Sequence, residues 1–231
     1  MADFTFAHRD EGFDNHIDHS IRGYSNLLED IISLSRYFVE DDTSVIDIGC
    51  STGKVTEMMV RQNDFAKFAS YVGVEIATGF TEDLKKRKES LEKEFPETFI
   101  NFYDETDIRD FDFMNCSLVT SIFTLQFMPK KDRSNVIDRI YNGLNTGGAF
   151  IFSEKTIAEN GFIQDMITFN YYDFKLKTFS SKDILTKEKT LRNMMKPNTV
   201  SEIEDMIQDA GFSALQQFWR NHNFVGFIAI K

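Results

Sequence analysis

The sequence predicts an α/β protein with a doubly wound, mainly parallel seven-stranded sheet and an antiparallel C-terminal edge. Short apolar runs alternate with helix-like segments between residues 44 and 153, which is typical of βαβ units. Two further apolar runs close the chain, and the polar stretch Asn221-His222-Asn223 between them predicts a hairpin. The fold class therefore follows from the alternation of strand-like and helix-like segments and from the two consecutive strands predicted at the C-terminal end.

Each strand is expected from a short apolar run, and each helix from apolar residues spaced three and four apart. The strands are expected over residues 44–48, 71–75, 99–103, 118–122, 149–153, 214–219 and 224–230. The helices are expected over residues 21–38, 55–60, 81–94, 131–144 and 200–211. The run Asn145-Thr146-Gly147-Gly148 predicts a turn before the fifth strand.

The length of 231 residues suits one domain, which we place over residues 1–231. A helical segment is expected over 15–40. The alternation of strands and helices stops after Glu154. Residues 156–197 are polar and aromatic with helix-like spacing. We expect this stretch to be a helical insert that caps the site at the carboxyl ends of the strands. Thr199 and Glu202 then have the spacing of a capping box.

The composition limits the partners of the protein. With 37 acidic and 26 basic residues the formal charge is −11, which disfavours direct nucleic-acid binding. The one dense basic cluster, residues 85–88, is interleaved with acidic residues, as on a solvated helix. No apolar run approaches the roughly 18 residues of a membrane span, and the N-terminus lacks the regions of a signal peptide. A cytoplasmic protein with a small-molecule substrate is expected.

A glycine-containing turn after the first strand is the most informative motif. It reads Asp47-Ile48-Gly49-Cys50-Ser51-Thr52-Gly53. The segment fits a phosphate-binding P-loop poorly because only three residues separate the glycines and Val55 follows Lys54. The dinucleotide fingerprint is weakened because Ser51 stands where it requires a second glycine.

The segment resembles the first motif of class I S-adenosyl-L-methionine (SAM)-dependent methyltransferases, an acidic residue followed by Gly-x-x-x-Gly. Glu75 ends the second strand, where this fold offers a carboxylate to ribose hydroxyls. Asp107 and Ile108 follow the third strand and would flank the adenine. These three sites occur in the order that a SAM site requires.

A closer resemblance rests on further motifs, chiefly Gly23-Tyr24-Ser25-Asn26 and Phe123-Thr124-Leu125-Gln126-Phe127. Asp107-Ile108-Arg109-Asp110, Ser153-Glu154-Lys155, Asp173-Phe174-Lys175 and Asn223-Phe224 follow in the same order. Together they resemble the carboxy-S-adenosyl-L-methionine synthase family, which converts SAM and prephenate into a carboxylated sulfonium used in tRNA modification. The resemblance covers nearly the whole chain.

The resemblance implies a SAM site and a homodimer formed through the insert. The implied cofactor-binding residues are Tyr24, Asp47, Gly49, Cys50, Ser51, Gly53, Glu75, Ile76, Asp107, Ile108 and Ile122. Two of the family's polar contacts are replaced. Glu188 stands where an arginine of the family reaches across the dimer to the carboxylate of the product, and Ile122 replaces an asparagine. Lys187, Lys189 or Arg192 could supply the missing cation.

These replacements favour a SAM-dependent methyltransferase that acts on a small-molecule acceptor and releases S-adenosyl-L-homocysteine. The alternatives are a carboxy-SAM synthase with a rearranged anion site and a non-catalytic SAM-binding dimer. Methyl transfer from a sulfonium needs alignment and a base, but no metal. The candidate catalytic residues are Tyr24, Glu154 and Tyr171, beside which His16, His19 and Tyr172 are further candidate bases. Cys50 is expected to be a pocket-floor residue.

Overall fold

The computed structural model of the chain describes residues 13–231, so the N-terminal stretch used above to argue against a signal peptide lies outside it. One seven-stranded sheet organises these residues, with the order β3-β2-β1-β4-β5-β7-β6. Its strands are β1 Ser44–Ile48, β2 Ser70–Val74, β3 Phe99–Tyr103, β4 Cys116–Ile122, β5 Leu144–Lys155, β6 Ala214–Asn221 and β7 Phe224–Ile230.

Strands β1 to β5 pair in parallel, whereas β7 runs antiparallel to both β5 and β6. This is the predicted fold class. The order reverses at β1, between β2 and β4, which places a switch point at the carboxyl end of β1. In open α/β sheets ligands bind at such a point, outside the carboxyl ends of the strands.

The turn predicted over residues 145–148 is wrong, because β5 already begins at Leu144. Cys116 pairs with Leu144, and the register shifts before Leu118 pairs with Ala149. The chain end supports this irregular stretch, since the Gly147 amide donates to the Lys231 carbonyl and the Lys231 amide donates to the Gly148 carbonyl, both at 3.0 Å. Two glycines therefore form a bulged strand start instead of a loop.

Eight α-helices lie within the described residues. They are α1 Phe13–Ser20, α2 Tyr24–Ser35, α3 Lys54–Gln62, α4 Thr81–Glu94, α5 Lys130–Gly143, α6 Gly161–Lys175, α7 Ser181–Met194 and α8 Val200–Asp209. The single helix predicted over 21–38 is wrong at its start, because Gly23 has φ of +76° and separates α1 from α2. The predicted capping box is present, with Thr199 and Glu202 bonding each other's backbone amides at the start of α8.

Apolar side chains cover both faces of the sheet. Leu27 and Ile31 of α2 and Met59 of α3 pack on one face, against strand residues such as Val45. Helices α5 and α8 pack on the other face, where Ile140 and Ile207 meet Phe150. Because both faces are covered, ligands can reach the sheet only at its edges, and the carboxyl ends of the strands are the open edge.

Helices α6 and α7 fall within residues 156–197 and form the insert between β5 and α8. The bounds of the predicted single domain stay a prediction. Within residues 13–231, no helix combines the length and apolar character needed to cross a lipid bilayer.

A candidate SAM and substrate cavity

A cavity of about 360 Å³ opens at the carboxyl ends of β1, β2, β4 and β5. Its volume lies within the range that binds small molecules and cofactors. The turn after β1 and the ends of β2 and β4 form one part of the wall, and α1 with the insert forms the opposite part. The predicted site residues on this wall are Gly49, Ser51, Glu75, Ile76, Asp107, Ile108, Ile122 and Tyr171.

The turn after β1 exposes backbone to the cavity because its residues adopt left-handed conformations. Gly49 has φ of +70°, and a β-carbon there would lie 2.2 Å from Thr124 Oγ1. Ser51 also has positive φ, at 50°. The Gly49 amide donates to the Val74 carbonyl at 2.7 Å, which fixes the turn to the end of β2. Only glycine fits at position 49, since any side chain would collide with Thr124.

Glu75 is the anchor of the turn. Its Oε2 accepts a hydrogen bond from the Ser51 amide at 2.8 Å, and its Oε1 accepts one from the Ala77 amide at 2.7 Å. Burial raises the pKa of this carboxyl, and the amide hydrogen bonds oppose that shift. A carboxylate oxygen has further lone pairs, so Glu75 can hold the turn and still accept from ribose hydroxyls.

Asp107 and Arg109 form the next part of the wall. The Arg109 guanidinium donates to Asp107 at 2.6 Å and to Asp132 at 3.0 Å. The hydrogen bond from Arg109 lowers the pKa of the Asp107 carboxyl, which therefore stays ionised at neutral pH. Ile108 is buried beside it, whereas Ile76 is half exposed. This end of the cavity combines carboxylates with apolar side chains, which suits a nucleoside.

Asp47, Cys50 and Gly53 lie behind the turn and do not line the cavity. Asp47 Oδ2 accepts from Thr56 Oγ1 at 2.8 Å and Oδ1 accepts from Thr120 Oγ1 at 2.9 Å, so it ties α3 to β4. Burial raises its pKa to about 6. Burial also raises the pKa of the Cys50 thiol, but the expectation that Cys50 forms the floor of the cavity is wrong, because Cys50 does not line it. Gly53 precedes α3 with φ of +76°. Their contact with a cofactor stays a prediction.

Tyr24 does not line the cavity either. It is the first residue of α2 and is buried in the core, with its ring 6.3 Å from that of Phe123. Burial and three nearby carboxylates raise the pKa of its phenol. The structure therefore gives Tyr24 a packing role behind Phe123, and its predicted catalytic role gains no contact with the cavity.

Glu154 is buried at the end of β5, away from the cavity wall. Burial raises its pKa to about 8, although the charge of Arg133 opposes this shift. Its Oε1 finds no hydrogen-bond donor among the residues that the structure describes. The next residue, Lys155, lines the cavity instead. Its amide donates to Gln126 Oε1 at 2.6 Å, and the Gln126 side chain lines the cavity as well.

Tyr171 joins the insert to the N-terminal helices at the cavity wall. Its hydroxyl donates to the Ser20 carbonyl at 2.8 Å, and burial raises its pKa. The ammonium groups of Lys155 and Lys175 lie 5.5 Å and 5.1 Å from the centre of its ring. With its proton engaged and its pKa raised, this phenol serves better as a rigid wall and hydrogen-bond donor than as a base.

Glu188 does not line the cavity and lies beside two lysines of its own chain. Its Oε1 lies 3.9 Å from both Lys155 Nζ and Lys175 Nζ. Lys175 is only 1% exposed, so this ionic contact is buried. The negative charge of Glu188 is therefore next to two cations of its own chain.

The structure also separates the three cations that the sequence offered as substitutes for the missing arginine. Lys187 lines the cavity, whereas Lys189 is exposed. Arg192 is exposed as well and is hydrogen bonded to Tyr172. His16 joins Lys187 on the cavity wall, whereas His19 is exposed. Lys187 is thus the one of these three predicted cations that lines the cavity, whereas Lys155 was not predicted as a site residue, although it belongs to the Ser153-Glu154-Lys155 motif.

Comparison with known proteins agrees with this geometry. Residues 46–150 match the family described as "Methyltransferase domain". A carboxy-S-adenosyl-L-methionine synthase of Staphylococcus epidermidis is 34% identical over 222 residues, covering 95% of this chain and 92% of the relative. One from Shewanella baltica is 33% identical over 233 residues, covering 100% of this chain and 94% of the relative. The chain belongs to the carboxy-S-adenosyl-L-methionine synthase family.

Solved structures show the same fold at low sequence identity. An O-methyltransferase family protein of Burkholderia thailandensis has a TM-score of 0.65 at 15% identity, covering 100% of this chain and 64% of that one. Human N-acetylserotonin methyltransferase in complex with SAM has a TM-score of 0.57 at 14% identity, covering 90% of this chain and 52% of that one. This member of the synthase family is thus a SAM-binding enzyme, a SAM-dependent transferase of the class I methyltransferase fold.

Proposed function

We propose that this enzyme transfers the methyl group of SAM to a small-molecule acceptor and releases S-adenosyl-L-homocysteine. The observation that carries the proposal is the position of Glu188 between Lys155 and Lys175. In the family an arginine is implied at this position, so the replacement changes the local charge by two units. A carboxylated product needs a cation near the transferred group, whereas a methyl group needs none.

Part of the cavity wall has the character that methyl transfer requires. This part is apolar, formed by Ile122, Phe123, Leu191, Met195 and Phe224. When bound, SAM supplies a methyl group whose transfer breaks its carbon–sulfur bond and leaves a neutral thioether. An apolar wall excludes water and leaves alignment of donor and acceptor as the main contribution of the protein.

The proposal assigns the two ends of the cavity to the two parts of the donor. Glu75 would accept from the ribose hydroxyls, and Asp107 with Ile108 would flank the adenine. Gly49 and Ser51 would allow the sulfur-bearing chain to pass close to the backbone. The acceptor would then enter on the side of the insert, where the wall is formed by α1 and α7.

The test is a product analysis by mass spectrometry. The purified enzyme is incubated with SAM and either prephenate or a panel of small phenols, thiols, amines and carboxylic acids. We expect S-adenosyl-L-homocysteine and a methylated acceptor from at least one member of the panel, and no carboxylated sulfonium from prephenate. A Glu75→Ala variant serves as the control that lacks the ribose contact.

A second candidate is carboxy-SAM synthesis, the activity for which the relatives are named. Lys155 favours it, since this cation lines the cavity and its contact with Glu188, at 3.9 Å, is longer than a hydrogen bond. It could turn to a ligand carboxylate. Formation of a carboxylated sulfonium from SAM and prephenate would establish this candidate and overturn methyl transfer.

We further propose a homodimer formed through the insert. Helix α6 carries an exposed apolar face, with Phe162, Met166 and Phe169 one turn apart and 75%, 55% and 67% exposed. Exposed apolar side chains along one face of a helix are typical of a surface that another protein subunit covers. Light scattering after gel filtration is expected to give a dimer, and Met166→Asp with Phe169→Asp to give a monomer. Asp165→Asn, on the same helix, is the control and should leave the dimer intact.

The remaining expectations concern location and partners. The formal charge of −11 supports a small-molecule substrate and argues against direct contact with nucleic acid. We propose that the enzyme acts in the cytoplasm without binding membranes. Fractionation of cells that express a tagged chain tests this location, and recovery in the membrane fraction would contradict it.

A further inference from the structure

We call the part of the cavity at Glu75 and Asp107 the nucleoside end. The wall opposite it contains a cation, Lys187, to which the comparison with relatives gives no role. Lys187 of α7 lines the cavity, and its ammonium group contacts His16 Nε2 and lies 3.1 Å from Ser20 Oγ of α1. Ser20 Oγ and His16 Nε2 are themselves 3.1 Å apart. Two helices that are distant in sequence thus bring an ammonium, an imidazole and a hydroxyl to one point on the wall.

This point lies beside the turn that follows β1. Thr52 Oγ1, within the turn, donates to Asp14 of α1 at 3.2 Å, so α1 rests against the turn. Ile17, Ser20 and Ile21 of α1 line the same cavity as Gly49 and Ser51. A ligand bound at Glu75 and the turn therefore shares the cavity with α1 and Lys187.

The other cations on the cavity wall lie elsewhere. Arg109 is held at the adenine end by Asp107 and Asp132. Lys155 lies at the base of the insert, near the rings of Tyr171 and Phe224 and beside Glu188. By position, Lys187 is the cation that faces the end of the ligand remote from the adenine.

We propose that Lys187 binds the α-carboxylate of SAM, with Ser20 and His16 positioning its ammonium group. This assignment rests on the proposed SAM orientation and specifies which part of the donor each wall holds. With ribose at Glu75 and adenine at Asp107, the amino-acid end of SAM extends across the turn toward α1. That end carries a carboxylate, which a partly buried wall can hold only with a cation or several donors.

The test compares SAM with decarboxylated SAM, which differs only in this carboxylate, by isothermal titration calorimetry without any acceptor. The wild-type enzyme should bind SAM at least about tenfold more tightly than the decarboxylated compound. Lys187→Met should weaken SAM binding by about the same factor and leave decarboxylated SAM unchanged. Lys187→Arg should retain most of the preference. Lys189→Met, an exposed neighbour on α7, is the matched control and should behave as wild type.

Equal binding of the two compounds to the wild-type enzyme would overturn the proposal, even if Lys187→Met does not fold. An equal loss for both compounds in Lys187→Met would show a purely structural role and would also overturn it. Failure of this proposal can be told apart from failure of the methyl-transfer proposal. The methyl-transfer proposal concerns the acceptor, and this experiment contains no acceptor. Absence of binding by either compound would instead contradict the SAM site itself.

Discussion

The two ends of the cavity are held together in different ways. At the nucleoside end the carboxylate of Glu75 accepts hydrogen bonds from the backbone amides of Ser51 and Ala77, 24 and 2 residues away. At the insert end, where α1 and α7 form the wall, side chains that are distant in sequence contact one another. Lys187 contacts His16 and Ser20, which are 171 and 167 residues away. Backbone amides are present in every sequence, whereas a contact between two side chains depends on both residue types. The nucleoside end is therefore suited to a part of the ligand that stays the same when residues change, and the insert end to a part that differs.

The largest expected effect is at the nucleoside end. Glu75→Ala removes an acceptor from two backbone amides and removes the proposed ribose contact, and charged hydrogen bonds contribute about 1.5–3 kcal/mol each. We expect SAM affinity to fall at least about a hundredfold in calorimetry, with Glu75→Gln intermediate because it keeps one acceptor oxygen. Glu82→Gln, an exposed carboxylate of α4, is the control and should bind as wild type. A loss of less than about threefold in Glu75→Ala would show that this carboxylate does not organise the site.

The second prediction concerns the stability of the insert. Glu188→Gln leaves Lys155 and Lys175 buried without the carboxylate that faces both, so the free energy of unfolding should fall by about 2 kcal/mol. Urea titration measures the change. Glu92→Gln, which breaks an exposed pair with Lys88, should change stability by less than about 0.5 kcal/mol.

A double variant sharpens this result. Adding Lys175→Met to Glu188→Gln removes one of the two stranded charges and should recover part of the lost stability. Affinity for decarboxylated SAM should stay near that of wild type in both variants, because the nucleoside end is untouched. A Glu188→Gln protein as stable as wild type would show that this ionic contact does not hold the insert.

The smallest expected effect is a pH dependence. Burial raises the pKa of Glu154 to about 8, above the ordinary value near 4.5. Between these values the folded protein keeps a proton that the unfolded chain releases, so this group makes the protein less stable as pH rises. Glu154→Gln lacks this contribution. Its stability relative to wild type should therefore increase by about 1 kcal/mol or more between pH 5 and pH 8.

Thermal unfolding at a series of pH values measures this difference. Asp47, with a pKa raised to about 6, contributes in the same direction at lower pH in both proteins, so the comparison cancels it. Asp112→Asn, at a side chain 91% exposed, is the control and should follow the wild-type curve. A difference that stays constant between pH 5 and pH 8 would mean that Glu154 is already ionised in the folded protein at pH 5.

Much of the nucleoside end could be predicted from the sequence because it is built from short sequence motifs. The strand, the glycine turn and the carboxylate at the end of the next strand follow from patterns a few residues long, and Gly49, Ser51 and Glu75 lie where expected. The placement of Tyr24 was not predictable. A matching motif cannot tell whether its side chain points into the cavity or into the core beneath it.

The sequence by itself determined the sheet, its antiparallel edge and the turn after the first strand, since apolar periodicity and glycine geometry act over short distances. Only the tertiary structure decided that Glu188 faces two lysines and that Lys187 faces the cavity, although the two residues are adjacent. Neighbours on a helix point in directions about 100° apart, so their surroundings depend on how the helix is rotated against the sheet. That rotation is set by packing between distant segments, which no local pattern records.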